Sequence, residues 1–133
     1  MFKMDVKEIE KIHDRILNDI EYGNFTLFDY ERFVDQLSLG LPEGDNYVAY
    51  LGLGLGEAGE IQNLLKKAIR GDYKIDDLDY ENKIKEELGD LLWYVTALAI
   101  HFGFNLQEII GANVEKLNKR AQEGTVRDSG KRN

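Results

Sequence analysis

Leu51-Gly-Leu-Gly-Leu-Gly-Glu57-Ala-Gly-Glu60-Ile-Gln-Asn-Leu64 and, a connection later, Ile84-Lys-Glu-Glu87-Leu-Gly-Asp90-Leu-Leu-Trp-Tyr94 decide how the chain reads. Each segment carries two acids three residues apart, and a helix places such a pair on one face, about 5–6 Å apart at Cβ. The first pair shares its face with Leu53, Ile61 and Leu64, and the second with Ile84, Leu91, Tyr94 and Leu98. Ionised carboxylates on an apolar stripe are costly unless cations or donors compensate them, and converging carboxylates also repel. Either the pairs splay apart to solvent or a metal sits between them. Single pairs of this kind are common on surface helices. Two of them, both on core-facing stripes and joined by a loop long enough for antiparallel packing, favour the metal.

The bounds agree with a small helical protein. The 133 residues make a single domain, 1–133, long enough to bury a core. Pro42 is the one proline, so the periodic runs continue without a helix breaker and the fold class reads as all-α. A net charge of -8 argues against general nucleic-acid binding or an anionic membrane surface. The absence of cysteine removes disulfides, thiolate metal sites and thiol nucleophiles. Leu91 to Ile100 is the longest apolar run and falls well short of the roughly 20 residues of a membrane span. With Asp5, Glu8 and Glu10 the start has no signal-peptide pattern, and a cytoplasmic protein without membrane attachment is expected.

From Asp5 to Glu21, Val6, Ile9, His13, Ile16, Leu17 and Ile20 keep helical spacing, with Asp5 as N-cap and Gly23-Asn24 as the stop. Glu10-Lys-Ile-His13 has the Glu-x-x-His form used in pairs by di-iron bundles, but a second copy is missing. His13 is therefore expected to be a satisfied core histidine. Thr26 or Asp29 caps a second helix through about Leu37, with Phe28, Phe33, Val34 and Leu37 inward, and Ser38 to Asp45 is a loop.

One continuous helix is expected from about Asn46 to Arg70. It contains Gly54-Leu-Gly56-Glu-Ala-Gly59, which matches the dinucleotide-binding pattern G-x-G-x-x-G, with Asp76 or Asp77 roughly 20 residues on. That fingerprint needs a preceding strand and further βαβ units, and nothing downstream alternates with period two. The glycines lower helix propensity by about 1 kcal/mol each. Close approach of another helix or a ligand is the better use for them.

After Gly71, the acidic connection Asp72 to Asp79 leads into a helix from about Tyr80 to Phe102 that is apolar nearly all round beyond Leu88. Such a helix must be covered on several sides, and few other helices are at hand, so a partner subunit is expected to cover it. His101 has no ligand-spaced neighbour. Asn105 caps a last helix, with Glu108 completing a capping-box-like start, that runs to about Gln122. A polar tail, 125–133, follows.

Gly56-Glu57-Ala-Gly-Glu60, Lys66-Lys67, Glu86-Glu87-Leu-Gly-Asp90-Leu-Leu-Trp93-Tyr94 and Asn113-Val-Glu-Lys116-Leu-Asn-Lys119-Arg120 together resemble the MazG-like all-α nucleoside triphosphate pyrophosphohydrolases over about 47–124. The resemblance implies a helical bundle completed by oligomerisation as a homodimer or homotetramer. It also implies a magnesium-dependent enzyme, with manganese as a substitute, that cleaves a nucleoside triphosphate between the α- and β-phosphates. Glu57, Glu60, Glu87 and Asp90 would be the metal ligands, one of them also polarising the attacking water. Their hard oxygens suit Mg²⁺. Lys67, Asn113, Lys116 and Arg120 would hold the phosphates by charge-assisted hydrogen bonds, although basic residues late in a helix also complement its dipole. Tyr47, Tyr50, Trp93 and Tyr94 would stack on the base, and the same spacing suits core packing. The alternative is a helical interaction module with a vestigial acidic site.

Overall fold

The computed structural model describes residues 5–39, 41, 44–72 and 78–124, the side chains of 45 and 46 aside. The expected features at Pro42, Asp76, Asp77 and 125–133 lie outside the described residues. Within them the chain is all-α, with helices α1 (Val6–Tyr22), α2 (Leu27–Ser38), α3 (Asp45–Gly54), α4 (Glu57–Ile69), α5 (Leu78–His101) and α6 (Leu106–Gln122). No strand precedes Gly54 among the described residues, so the glycine pattern lacks the setting of a dinucleotide fingerprint. None of these helices is long and apolar enough to cross a membrane.

The helix ends follow from local chemistry. Asp5 accepts from the amides of Lys7 and Glu8 to start α1, and Gly23 closes it in the left-handed region at φ 77°. Thr26 and Asp29 both take part at α2, as a reciprocal capping box: each side chain accepts the other's backbone amide. Asn105 Oδ1 accepts the Glu108 amide at 2.8 Å to start α6, and Glu31 Oε1, reaching from α2, accepts the Leu106 amide at 3.3 Å. That second bond ties α6 to α2 at an otherwise unsatisfied donor.

The expected single helix from Asn46 to Arg70 is broken at Leu55-Gly56. There Gly56, Ala58 and Gly59 donate to Leu53, Leu55 and Gly56 respectively, each three residues back instead of four. Glycines disfavour the regular α-helical turn, so the chain tightens and restarts. Two consequences follow. Leu53, expected on the shared apolar stripe, is 81% exposed. Glu57 becomes the first residue of a new helix, where the dipole favours a negative charge.

α5 is the hub. It packs against α2, α3 and α4, while α1 and α6 pack on α2. The centre is Val34, Leu51 and Ala97, surrounded by Tyr30, Tyr47, Trp93, Tyr94, Leu98 and Ile100. The chain itself thus covers most of the apolar run, leaving Leu88 and Leu92 about half exposed. Thr96, fully buried, satisfies its hydroxyl by donating to the Leu92 carbonyl one turn back. On α1 the inward residues are Ile12 and Ile16, which rotates His13 out to solvent beside Asp14. The expectation of a core histidine is corrected by that rotation, and Phe28, expected inward, is likewise exposed. Along α6 only Leu106 is buried, so Ile110, Val114 and Leu117 face solvent in the single chain.

Gly54 is where the expected close approach of another helix occurs, since a Cβ there would overlap the Tyr94 ring of α5. At Gly52, also in α3, a Cβ meets nothing within 4 Å. The two positions should therefore respond with opposite signs in urea titrations. Gly54→Ala should lose about 1–3 kcal/mol by overpacking. Gly52→Ala should gain up to about 1 kcal/mol from helix propensity.

Candidate active site

Glu57 opens α4, while Glu87 and Asp90 lie one turn apart on α5, and the packing of these two helices brings the three carboxyls together. One oxygen from each lies within 4.8 Å of the others. The fourth expected ligand, Glu60, is exposed and outside this group, yet close enough for its charge to act on Glu87. The start of α4 orders the two acids: Glu57 at the first position faces α5, whereas Glu60 stands toward solvent.

Glu87 carries the strain of the cluster. Its carboxyl is pushed above the ordinary carboxylate value by a hydrogen bond shared with Glu57, then by burial, then by the charges of Glu57, Asp90 and Glu60. Bringing these carboxyls together thus disfavours the charged form of Glu87, which a bound cation would favour instead. Glu87 Oε2 is sealed from solvent and has no hydrogen-bond partner among the described residues. A buried acceptor without a donor, in a set made wholly of hard carboxylate oxygens, fits a small divalent cation such as Mg²⁺ or Mn²⁺.

Glu57 and Asp90 also line a cavity of about 360 Å³ with Leu37, Leu41, Tyr50, Trp93 and Tyr94. This volume is at the lower end of the roughly 300–1,000 Å³ of small-molecule pockets. The Tyr50 and Tyr94 hydroxyls lie 3.5 Å apart, and Trp93 stands edge-on to Tyr94 with ring centres 5.2 Å apart. Tyr94 is pushed up to about 12, first by its hydrogen bond with Tyr50, then by burial, Tyr50, Glu57 and Asp90. It stays a neutral hydroxyl beside the acids. Tyr30 is also raised, by burial and then by Asp90.

Of the expected base-stacking residues, Tyr50, Trp93 and Tyr94 reach the cavity, and Tyr47 instead meets His101 edge-on at 5.6 Å. Lys67 lies half-buried in the last turn of α4. Asn113 and Lys116 line a separate open hollow of about 500 Å³ with Phe104, Glu108, Ile109 and Ala112, and Arg120 lies one turn beyond Lys116 on α6. Within one chain these α6 residues do not border the acid cavity. Tyr30 and Leu41 were not singled out from sequence. Tyr30 stands four residues before Val34 and seven before Leu37, so the inward stripe of α2 carried its signal.

Comparison with known proteins adds a family. The model of the MazG nucleotide pyrophosphohydrolase domain matches residues 45–125, which contain α3 to α6 and both acid pairs. The Gene 37 protein of Mycobacterium phage L5 is 36% identical over 84 residues, covering 62% of this chain and 74% of that protein. No solved structure matches significantly.

The Glu87 shift has a definite sign in stability. A carboxyl whose folded value is raised stabilises the fold below the unfolded value and loses that contribution as pH climbs through the folded one. In chelator, the melting temperature of the parent should therefore fall as pH rises above 4.5, the ordinary value. Glu87→Gln should flatten that fall and be at least as stable as the parent at neutral pH. Melting curves across pH check both, and a clearly less stable metal-free Glu87→Gln would mean that Glu87 makes a structural bond.

Proposed function

The chain belongs to the MazG nucleotide pyrophosphohydrolase domain family, and from that membership we propose that it hydrolyses a nucleoside triphosphate, ribo- or deoxyribo-, to monophosphate and pyrophosphate in the presence of magnesium. The observation that carries the reading is the convergence of Glu57, Glu87 and Asp90 within 4.8 Å at the mouth of an aromatic cavity. Glu57, Glu87 and Asp90 would hold the cation, with Glu60 at the rim as a fourth carboxylate. Bound magnesium supplies positive charge against the phosphoryl oxygens and an acidified water.

The chain's own groups do the rest. Trp93, with Tyr50 and Tyr94, takes the base and so fixes the α-phosphate over the carboxylates. Water oxygen bonds to the α-phosphorus, the bond from that phosphorus to the αβ-bridging oxygen breaks, and pyrophosphate leaves. The proton of the water passes to a carboxylate of the cluster. Lys67, at the far end of α4, is available to the leaving phosphates.

Asn113, Lys116 and Arg120 would join only through assembly. Ile110, Val114 and Leu117 give α6 an exposed apolar face, and a homodimer or homotetramer that buries it would let one subunit's α6 serve another's acids. Light scattering should give a mass above the 15.3 kDa of one chain; a compact monomer at micromolar concentration would remove the phosphate role of these residues.

Chromatography of products from ribo- and deoxynucleoside triphosphates should show monophosphate and pyrophosphate with magnesium, and neither with chelator. Diphosphate plus orthophosphate would exclude cleavage at the α-phosphate. Glu87→Gln and Asp90→Asn should each lower kcat/KM by at least the roughly 10–100-fold that weaker perturbations of metal sites cause. Magnesium at a hundredfold excess over its Kd should stabilise the parent by about 2.7 kcal/mol and these variants much less. Equal stabilisation, with no pyrophosphate released, would favour a helical interaction module with a vestigial acidic site.

A further inference from the structure

α2 lies outside the family-matched residues 45–125 and yet borders the cavity. Leu37, in its last turn, and Leu41, just beyond it, share that cavity with Glu57, Asp90 and Trp93. Tyr30, two turns before Leu37 on the same inward stripe, sits near enough to Asp90 for that charge to act on it. The N-terminal part of the chain is thus built into the site.

The chemistry of the lining limits how a base can be read there. Among the described lining residues, the carboxylates Glu57 and Asp90 belong to the candidate cation cluster, and the hydroxyls of Tyr50 and Tyr94 are turned to each other at 3.5 Å, which leaves the Trp93 indole N–H and the hydrogen of one tyrosine as side-chain donors. Leu37 and Leu41 offer no donor or acceptor on their side chains. A wall of that kind discriminates by volume, through dispersion and exclusion, and tolerates changes at the edge of the base that leave its size alone.

We propose that Leu37 and Leu41 are specificity-determining residues, which select the nucleobase by ring size in the cavity they share with Trp93. The proposal rests on the reading that the acid cluster handles the triphosphate. It assigns to the N-terminal segment a substrate class choice, purine against pyrimidine, that the matched domain alone does not make. Shortening the wall makes room for the larger ring; filling it favours the smaller one.

Binding separates this proposal from the catalytic reading, because it needs no turnover. The probes are α,β-methylene triphosphates of adenosine, guanosine, inosine, cytidine and uridine, titrated calorimetrically into the whole chain with magnesium. Leu37→Ala and Leu41→Ala should move the purine-to-pyrimidine affinity ratio toward purines by roughly tenfold, the effect of a few methylenes in an apolar pocket, and Leu37→Phe should move it the other way. Guanosine and inosine forms, equal in ring size and different in one amino group, should bind within about threefold of each other. A site that hydrogen-bonded the edge would separate them by a hundredfold or more.

Leu37 is half-buried, so its alanine variant can loosen α2; Leu41→Ala and Leu37→Phe then decide, each checked by a magnesium melting shift equal to the parent's. Ratios unmoved in those variants, a large guanosine–inosine difference, or no nucleotide binding by the parent would each overturn the proposal. Nucleotide binding with the expected ratios but no pyrophosphate release would leave it standing and overturn the catalytic reading alone.

Discussion

Three carboxyls that must share less than 5 Å of space impose the constraint on which the arrangement of the other parts depends. Like charges at that separation, partly out of water, repel one another. The fold brings them together because α4 packs along α5, while Leu51, Val34 and Ala97 form a core that holds α5 to α2 and α3, with Trp93 and Tyr94 packed against it. The Glu87 carboxyl is accordingly raised above the ordinary value by Glu57, burial and the neighbouring charges. Such a cluster favours a divalent cation, which would offset the repulsion and also meet the acceptor at Glu87 Oε2 that no group among the described residues satisfies.

The break at Leu55-Gly56 is what makes the convergence possible. An unbroken helix through this stretch would have placed Glu57 in a helix interior, with its face fixed by the register of α3. Restarting the helix frees that register and puts Glu57 at a positive helix end. Gly54 contributes on the opposite side by letting the Tyr94 ring lie against the α3 backbone, which brings Tyr94 between the core and the acids. The same run of glycines therefore serves both the bend and the close approach.

Much of this could be read from spacing. Two acids three residues apart on each of two apolar stripes identified the cluster, and Asp5, Thr26, Asp29 and Asn105 announced their helix starts, because capping is local chemistry between neighbours in sequence. Depth was less legible. Periodicity names a face and not how far a residue lies within it, so Glu60 read the same as Glu57, and His13 the same as Ile16. The helix break was missed because each glycine was weighed singly as a tolerated cost, when several in one turn together shift the balance to tighter hydrogen bonds. The position of α6 depends on tertiary contacts, chiefly the bond from Glu31 to the Leu106 amide, and no spacing in the sequence of α6 contains it.

The role of α2 follows from the same limit. Nothing in Leu27–Ser38 has the composition of a site, yet α2 is the element that α1, α5 and α6 all pack against. Its inward stripe serves two ends: Val34 is fully buried in the core, while Leu37 one turn on emerges at the cavity and Tyr30 one turn back lies near Asp90. A helix that anchors the core at its middle cannot move its wall residues independently of the acids on α5. The distance between the apolar wall and the carboxylates is thereby set by core packing, which is nearly incompressible. Selection by ring size requires that rigidity, because a wall free to retreat by a methyl group would accept either ring.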